Sequence, residues 1–262
     1  MDWIQIIVLA LIQGITEFLP ISSSGHLVLP SLLTDWPDQG LAFDVGVHFG
    51  TLLAVIVYFR STLFEMANST LQWPVHRRYD EHLDWVLKLA LATLPAAVVG
   101  LLGKDFIEAN LRSVVVIATT TVVFGLLLGF ADRKRGESTQ VGWDHATWIG
   151  LAQALALIPG TSRSGITITA ALLLGLARTT AARFSFLLAI PTIAGAQLLL
   201  TLDLVETGFN AQWRDLLAGA AIAGLSAFWC IHFFILLVER TGMLPYVVYR
   251  LLLGLCLFLF FV

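Results

Sequence analysis

The sequence predicts an all-α integral membrane protein with six transmembrane helices and two re-entrant helix–loop–helix hairpins, arranged as inverted repeats. Three observations predict it. Only 13% of the 262 residues are charged and 58% are hydrophobic, whereas a soluble domain carries about 25% charged residues. Apolar runs recur from Trp3 to Val262, so the whole chain, 1–262, reads as a single membrane domain. Two of the apolar segments are interrupted by Ser- and Gly-containing stretches. A net charge of −3 without a basic run gives no reason to expect a nucleic-acid partner.

The first interrupted segment covers residues 3–33. Its apolar half contains Gln13 and Glu17, then breaks at Pro20 into Ile21-Ser22-Ser23-Ser24-Gly25-His26. Asp2 stands where a cleavable signal carries basic residues, so this segment is expected to stay in the protein. Spans follow at about 41–60, 84–103 and 112–131. The second interrupted segment, 148–176, breaks at Pro159-Gly160-Thr161-Ser162-Arg163-Ser164-Gly165. Each of its halves is too short to cross a hydrocarbon core about 30 Å thick. Three more spans lie at about 182–201, 214–238 and 243–262. All are expected to be helical, because the backbone in lipid must satisfy its own hydrogen bonds. Cys230 and Cys256 sit in apolar runs and read as small buried hydrophobes.

Charge orients the chain. Hairpins that do not cross leave Arg60, Arg77, Arg78, Arg133, Lys134, Arg135, Arg178, Arg183 and Arg240 on one side. Lys104, Arg112 and Arg214 lie on the other, with Lys88, Arg163 and Arg250 inside segments. The first side is expected to be cytoplasmic, with both termini outside. The acidic loops, with Asp35 and Asp38 in one and Asp203 and Glu206 in the other, are then also outside. At an offset of 140, Gln13, Ser22, Ser24 and Gly25 match Gln153, Ser162, Ser164 and Gly165; one residue further on, Phe43 and Thr51 match Phe184 and Thr192. The matching spans run in opposite directions, which predicts inverted repeats over about 1–131 and 145–262, with a polar site near the midplane.

The polar residues of the breaks suggest chemistry. A carboxylate in an apolar helix is costly and is a functional candidate by default, so Glu17 is expected to hold a divalent cation or to orient or deprotonate a nucleophile. Gln13, four residues earlier, shares its helix face. Ser22, Ser23, Ser24 and Gly25 offer hydroxyls and N–H groups before a helix start, as an anion site requires; N-capping by solvated serines is the competing reading. His26 can serve as nucleophile, general acid or phosphate donor. Arg163 presents a planar fork suited to phosphate; the competing partner is Glu17, in a structural ion pair. The stretch Gly160–Gly165 reads as a backbone nest preceding a helix at Ile166, with Thr167 adding a hydroxyl. Asp44 and His48, four apart on the next span, are candidates to support the site or line its access. One carboxylate, one His, hydroxyls and one Arg together suit phosphoryl transfer, and the apolar surround suggests a lipid-linked substrate entering from the bilayer. A transporter or flippase binding a lipid phosphate at the same midplane site is the alternative. The Glu17–His26 pair separates the two, because translocation needs no nucleophile.

Two motifs carry a family resemblance. Gln13-Gly14-Ile15-Thr16-Glu17-Phe18-Leu19-Pro20-Ile21-Ser22-Ser23-Ser24-Gly25-His26-Leu27 resembles the first signature of the bacterial undecaprenyl pyrophosphate phosphatases, also called bacitracin-resistance proteins. Pro159-Gly160-Thr161-Ser162-Arg163-Ser164-Gly165 resembles their second, and the stretch from Phe43 to Ala54 is similar to the family between them. The resemblance implies hydrolysis of undecaprenyl diphosphate to undecaprenyl phosphate and inorganic phosphate. That reaction recycles the lipid carrier for peptidoglycan and other wall polymers and confers bacitracin resistance. It implies a multi-pass protein of the bacterial inner membrane, a site opening to the outer, periplasmic face, and a divalent cation, Mg or Ca. By position, Glu17 matches the family's key acid and Gln13 the position before it. Ser23 and His26 match the nucleophile or acid–base candidates; attack by Ser, His or water stays open. Ser22, Ser24, Ser162 and Ser164 match phosphate contacts, and Arg163 the charge stabiliser. A homodimer stays open as well.

Overall fold

The computed structural model describes residues 1–27, 29–34, 36–77, 79–207 and 212–262; Asp35 and Arg78 lie outside the described residues. Among these the architecture is helical, with one isolated bridge between Ser138 and Leu176. Six helices are long and apolar enough to cross a membrane. They are α4 (Gly40–Tyr58), α6 (Glu81–Asn110), α7 (Val114–Asp132), α10 (Arg178–Thr207), α11 (Trp213–Thr241) and α12 (Leu244–Phe261). The first interrupted segment folds as α1 (Trp3–Thr16), α2 (Ser23–Leu27) and α3 (Leu29–Leu33). The second folds as α8 (Trp143–Ala154), a 3₁₀ turn and α9 (Arg163–Leu173).

Capping explains several helix starts. Asp80 accepts the Leu83 N–H at 2.9 Å and begins α6 before the apolar run. Ser113 begins α7 by accepting the Val116 N–H at 3.3 Å. Each such cap is worth about 1 kcal/mol. Helices α6 and α10 have 30 residues each, longer than the predicted spans, because their polar ends continue the helix beyond the apolar part. Helix α5 (Arg60–His76) was not expected at all. Its polar surface hides its periodicity, and it stops at Arg77, whose φ of 48° is left-handed.

Close backbone approaches dock the first arm of each interrupted segment. A Cβ on Gly14 would lie 2.4 Å from the Ala223 carbonyl oxygen, so α1 lies directly on α11. A Cβ on Gly150 would lie 2.6 Å from the Ala92 Cα, which places α8 on α6 in the same way. Small residues at such crossings let helices pack where lipid supplies no hydrophobic drive between them. The main core gathers Phe18, Phe184, Phe186, Leu188 and Ile231. Both cysteines are free, and neither is fully buried as expected: Cys230 is half-buried and Cys256 is exposed.

Candidate active site

Two breaks in helical backbone meet inside this bundle. Each is built on a serine that an ordinary helix would not place there. Ser22 has φ 75° and Ser162 has φ 70°, a left-handed region that costs a non-glycine residue about 1–3 kcal/mol. Each serine then caps the helix that follows: Gly25 N–H donates to Ser22 Oγ at 3.4 Å, and Gly165 N–H to Ser162 Oγ at 3.1 Å. Each also pairs with the hydroxyl two residues on, Ser22 with Ser24 and Ser162 with Ser164, both at 3.2 Å. The helices therefore start earlier than the sequence suggests. Arg163, Ser164 and Gly165 form the first turn of α9 instead of a nest before Ile166. The Gly25 and Gly165 N–H groups are already used by the caps.

Glu17 sits where α1 ends, 9% exposed. Its carboxylate accepts Gln13 Nε2 at 3.0 Å and Ser23 Oγ at 2.9 Å on one oxygen, and Arg163 Nη2 at 3.1 Å on the other. The expected competing ion pair is thus present, and it bridges the two breaks. His48 Nε2 lies 3.9 Å from the same carboxylate. Arg163 also donates to the Ser185 carbonyl at 3.2 Å and lies over the Phe18 ring. Ser164 Oγ ties the breaks again by donating to the Leu19 carbonyl at 2.8 Å.

These groups open onto a cavity of about 240 Å³ lined by Glu17, Ser22, Ser23, Ser24, Ser162 and Arg163. His48 joins them from α4, and Thr192 and Gln197 from α10. Not every expected residue reaches it. The His26 ring is turned away, with Nδ1 2.6 Å from the Ser22 carbonyl oxygen and Nε2 2.6 Å from the Tyr249 hydroxyl. Thr167 is buried on α9, bonded to Ser185 Oγ at 2.7 Å. Asp44 accepts Gln39 Nε2 at 3.0 Å outside the cavity.

Arg250 is a residue whose part the sequence did not reveal. It is fully buried on α12, and its guanidinium donates to five carbonyls: Thr120, Thr121, Pro20, Gly160 and Thr161. It therefore holds the backbone of both breaks at once. The only available signal was a lone cation in an apolar helix, which demands partners. Next to it, Tyr249 holds His26 and through it α2.

Oxygen atoms around the site suit a hard cation. Gln13 Oε1 and Gln197 Oε1 are buried without a hydrogen-bond partner, an uncommon state that points to a missing donor or ion. Among the described residues no three His, Cys, Asp or Glu side chains gather as a metal cage. Glu17 plus neutral oxygens is a donor set whose chemistry fits a hard divalent cation such as Mg²⁺ or Ca²⁺.

The family model described as bacitracin resistance protein BacA matches residues 6–256. An undecaprenyl-diphosphatase of Alcanivorax borkumensis is 57% identical over 260 residues, 98% of each chain. One from Hahella chejuensis is 54% identical over 256 residues, 97% of this chain and 96% of its own. One from Teredinibacter turnerae is 56% identical over 264 residues, 99% of each.

Proposed function

The chain belongs to the bacitracin resistance protein BacA family, and we propose from that premise how its paired breaks carry out the reaction. The protein hydrolyses undecaprenyl diphosphate to undecaprenyl phosphate and inorganic phosphate, which recycles the lipid carrier for cell-wall polymers and confers bacitracin resistance. The observation that carries the mechanism is the chain Ser23–Glu17–Arg163, a hydroxyl, a base and a cation joined across two helix starts at 2.9 and 3.1 Å.

The substrate's diphosphate enters the cavity and replaces Glu17 as the partner of Arg163. The hydroxyls of Ser22, Ser24 and Ser162 turn toward its oxygens, and Arg163 neutralises charge on the phosphoryl group being transferred. Glu17, freed from the pair, accepts the Ser23 Oγ proton. Ser23 Oγ forms a bond to the terminal phosphorus as the anhydride P–O bond breaks, and undecaprenyl phosphate leaves with the proton that Glu17 took from Ser23, which restores the Glu17 carboxylate. Water then attacks the phosphoserine with Glu17 taking its proton, inorganic phosphate departs, and Ser23 regains its hydrogen. Glu17 and Gln13 Oε1 would hold the divalent cation, which supplies charge neutralisation at the diphosphate when bound. His26 orients α2 through Ser22 and Tyr249.

The membrane frame completes the reading. Helices α8 and α9 have 12 and 11 residues, about 18 and 16 Å at 1.5 Å per residue, against a core of about 30 Å. These lengths support re-entrant hairpins, and the matched caps support inverted repeats. The excess of cations on one side supports the orientation of the bundle in the inner membrane, and the family resemblance supports a site open to its outer face. The test is phosphate release from undecaprenyl diphosphate by detergent-purified protein, with and without EDTA. Folded Ser23→Ala and Arg163→Ala should lose release, and wild type should lose it in EDTA. Full activity in folded Ser23→Ala moves the attack to water. No release from folded wild type with Mg²⁺ or Ca²⁺ overturns the mechanism in favour of translocation.

A further inference from the structure

The polar cavity accounts for the diphosphate and leaves the lipid tail without a place. Beside it lies an apolar hollow of about 400 Å³ between α6 and α10. The two cavities share Thr192, Ala196 and Leu200. The walls of the hollow are small: Ala96, Ala97 and Gly100 on α6, Gly195 and Ala196 on α10. A Cβ built on Gly195 meets no heavy atom within 4 Å. Small residues between membrane helices usually let backbones close up; here they keep a space open. At the far end Lys104 Nζ meets Asp203 Oδ2 at 2.6 Å, joining α6 to α10. Thr192 and Asp203 are eleven residues apart on α10, about 16 Å along the axis. Leu101 and Leu198, 61% and 62% exposed, border the hollow and open it toward lipid. A rival hollow of about 440 Å³, beside Trp229, Cys230 and Tyr246, shares no lining residue with the polar cavity.

We propose that the hollow between α6 and α10 is the prenyl subsite. It holds the first isoprene units of the substrate while the diphosphate lies between the two helix starts, and the remaining tail leaves past Leu101 and Leu198 into the bilayer. This rests on the hydrolase reading and deepens it. Apolar burial is non-directional and scales with area, so the fit depends on how much room α10 leaves at Gly195.

Gly195→Leu fills the hollow from its open side, and Gly195→Ala is the graded step. With undecaprenyl diphosphate, Gly195→Leu should raise KM at least about tenfold with kcat within about twofold, the pattern of lost uniform binding, and Gly195→Ala should fall between. Leu237→Trp, which fills the rival hollow, should change neither constant. Independently of turnover, a diazirine-bearing farnesyl methylenediphosphonate should crosslink to residues 96–101 and 195–200. Unchanged KM in folded Gly195→Leu, or adducts confined to 226–246, would overturn the subsite. If wild type releases no phosphate yet the adducts map to α6 and α10, the subsite stands and the hydrolase mechanism fails.

Discussion

The two breaks share a frame and divide the chemistry. Both place a serine at a positive φ, 75° and 70°, cap the next helix with it, and pair it with a second hydroxyl at 3.2 Å. At the positions that differ, the first carries Glu17, Ser23 and His26 where the second carries Leu157, Arg163 and Ile166. In the proposed mechanism the first holds the base and nucleophile, and the second holds the cation. A strained serine is kept twice for its backbone, while charge is kept once on each side. The lesson is that two similar backbone breaks become a site when they carry complementary groups.

Variants can break this comparison in decreasing order of effect. Arg163→Ala should lower phosphate release by about 10³-fold, the scale of removing a donor aimed at developing charge, whereas Ser162→Ala in the same break should lower it far less. Equal losses in steady-state assays would erase the distinction between frame and chemistry. Arg250→Met should hit both breaks together, because five carbonyls lose their donor. Its expected cost is about 3 kcal/mol, read as a lower melting temperature in detergent, with Arg250→Lys recovering part of it. Ser22→Ala and Ser162→Ala should each cost about 1 kcal/mol as lost caps. Ser22→Gly and Ser162→Gly should cost less, since glycine adopts positive φ without strain.

The smallest effect sits away from both breaks. The Ser69 hydroxyl and the Leu83 N–H hold the Asp80 carboxyl below the usual carboxylate range. A depressed value means that its contribution is present at neutral pH and is lost as pH falls through the folded-state value. The melting difference between wild type and Asp80→Asn should therefore shrink on acidification, while the variants of the two breaks show no such common trend.

How much of this could be read beforehand follows from where each property resides. The six spans were legible because apolar length is local, and both breaks were legible because Pro20, Pro159 and Gly160 interrupt a helix within a few residues. Glu17 and Arg163 stood out because charge is rare inside apolar segments. Their ion pair was foreseen only as a competing possibility. His48 was named as a residue that could line the site's access and does line the cavity, whereas Thr192 and Gln197 were harder to place there because a long apolar helix does not declare which face meets which neighbour. The orientation of His26 depends on Tyr249, 223 positions away, and the work of Arg250 depends on carbonyls that converge only after folding. Helix α5 was missed because a polar surface leaves little periodic signal.

The central claim is that Glu17 and Arg163 act on substrate and are more than a buried ion pair. The direct test is a double-mutant cycle with Glu17→Gln, Arg163→Gln and the pair together, following phosphate release and melting in the same samples. Removing one partner of a buried pair costs about 3–5 kcal/mol, much of which returns when both charges go. The account predicts that the double variant regains stability yet stays as inactive as either single one. Recovery of phosphate release along with stability would contradict it and reduce the pair to a structural clasp.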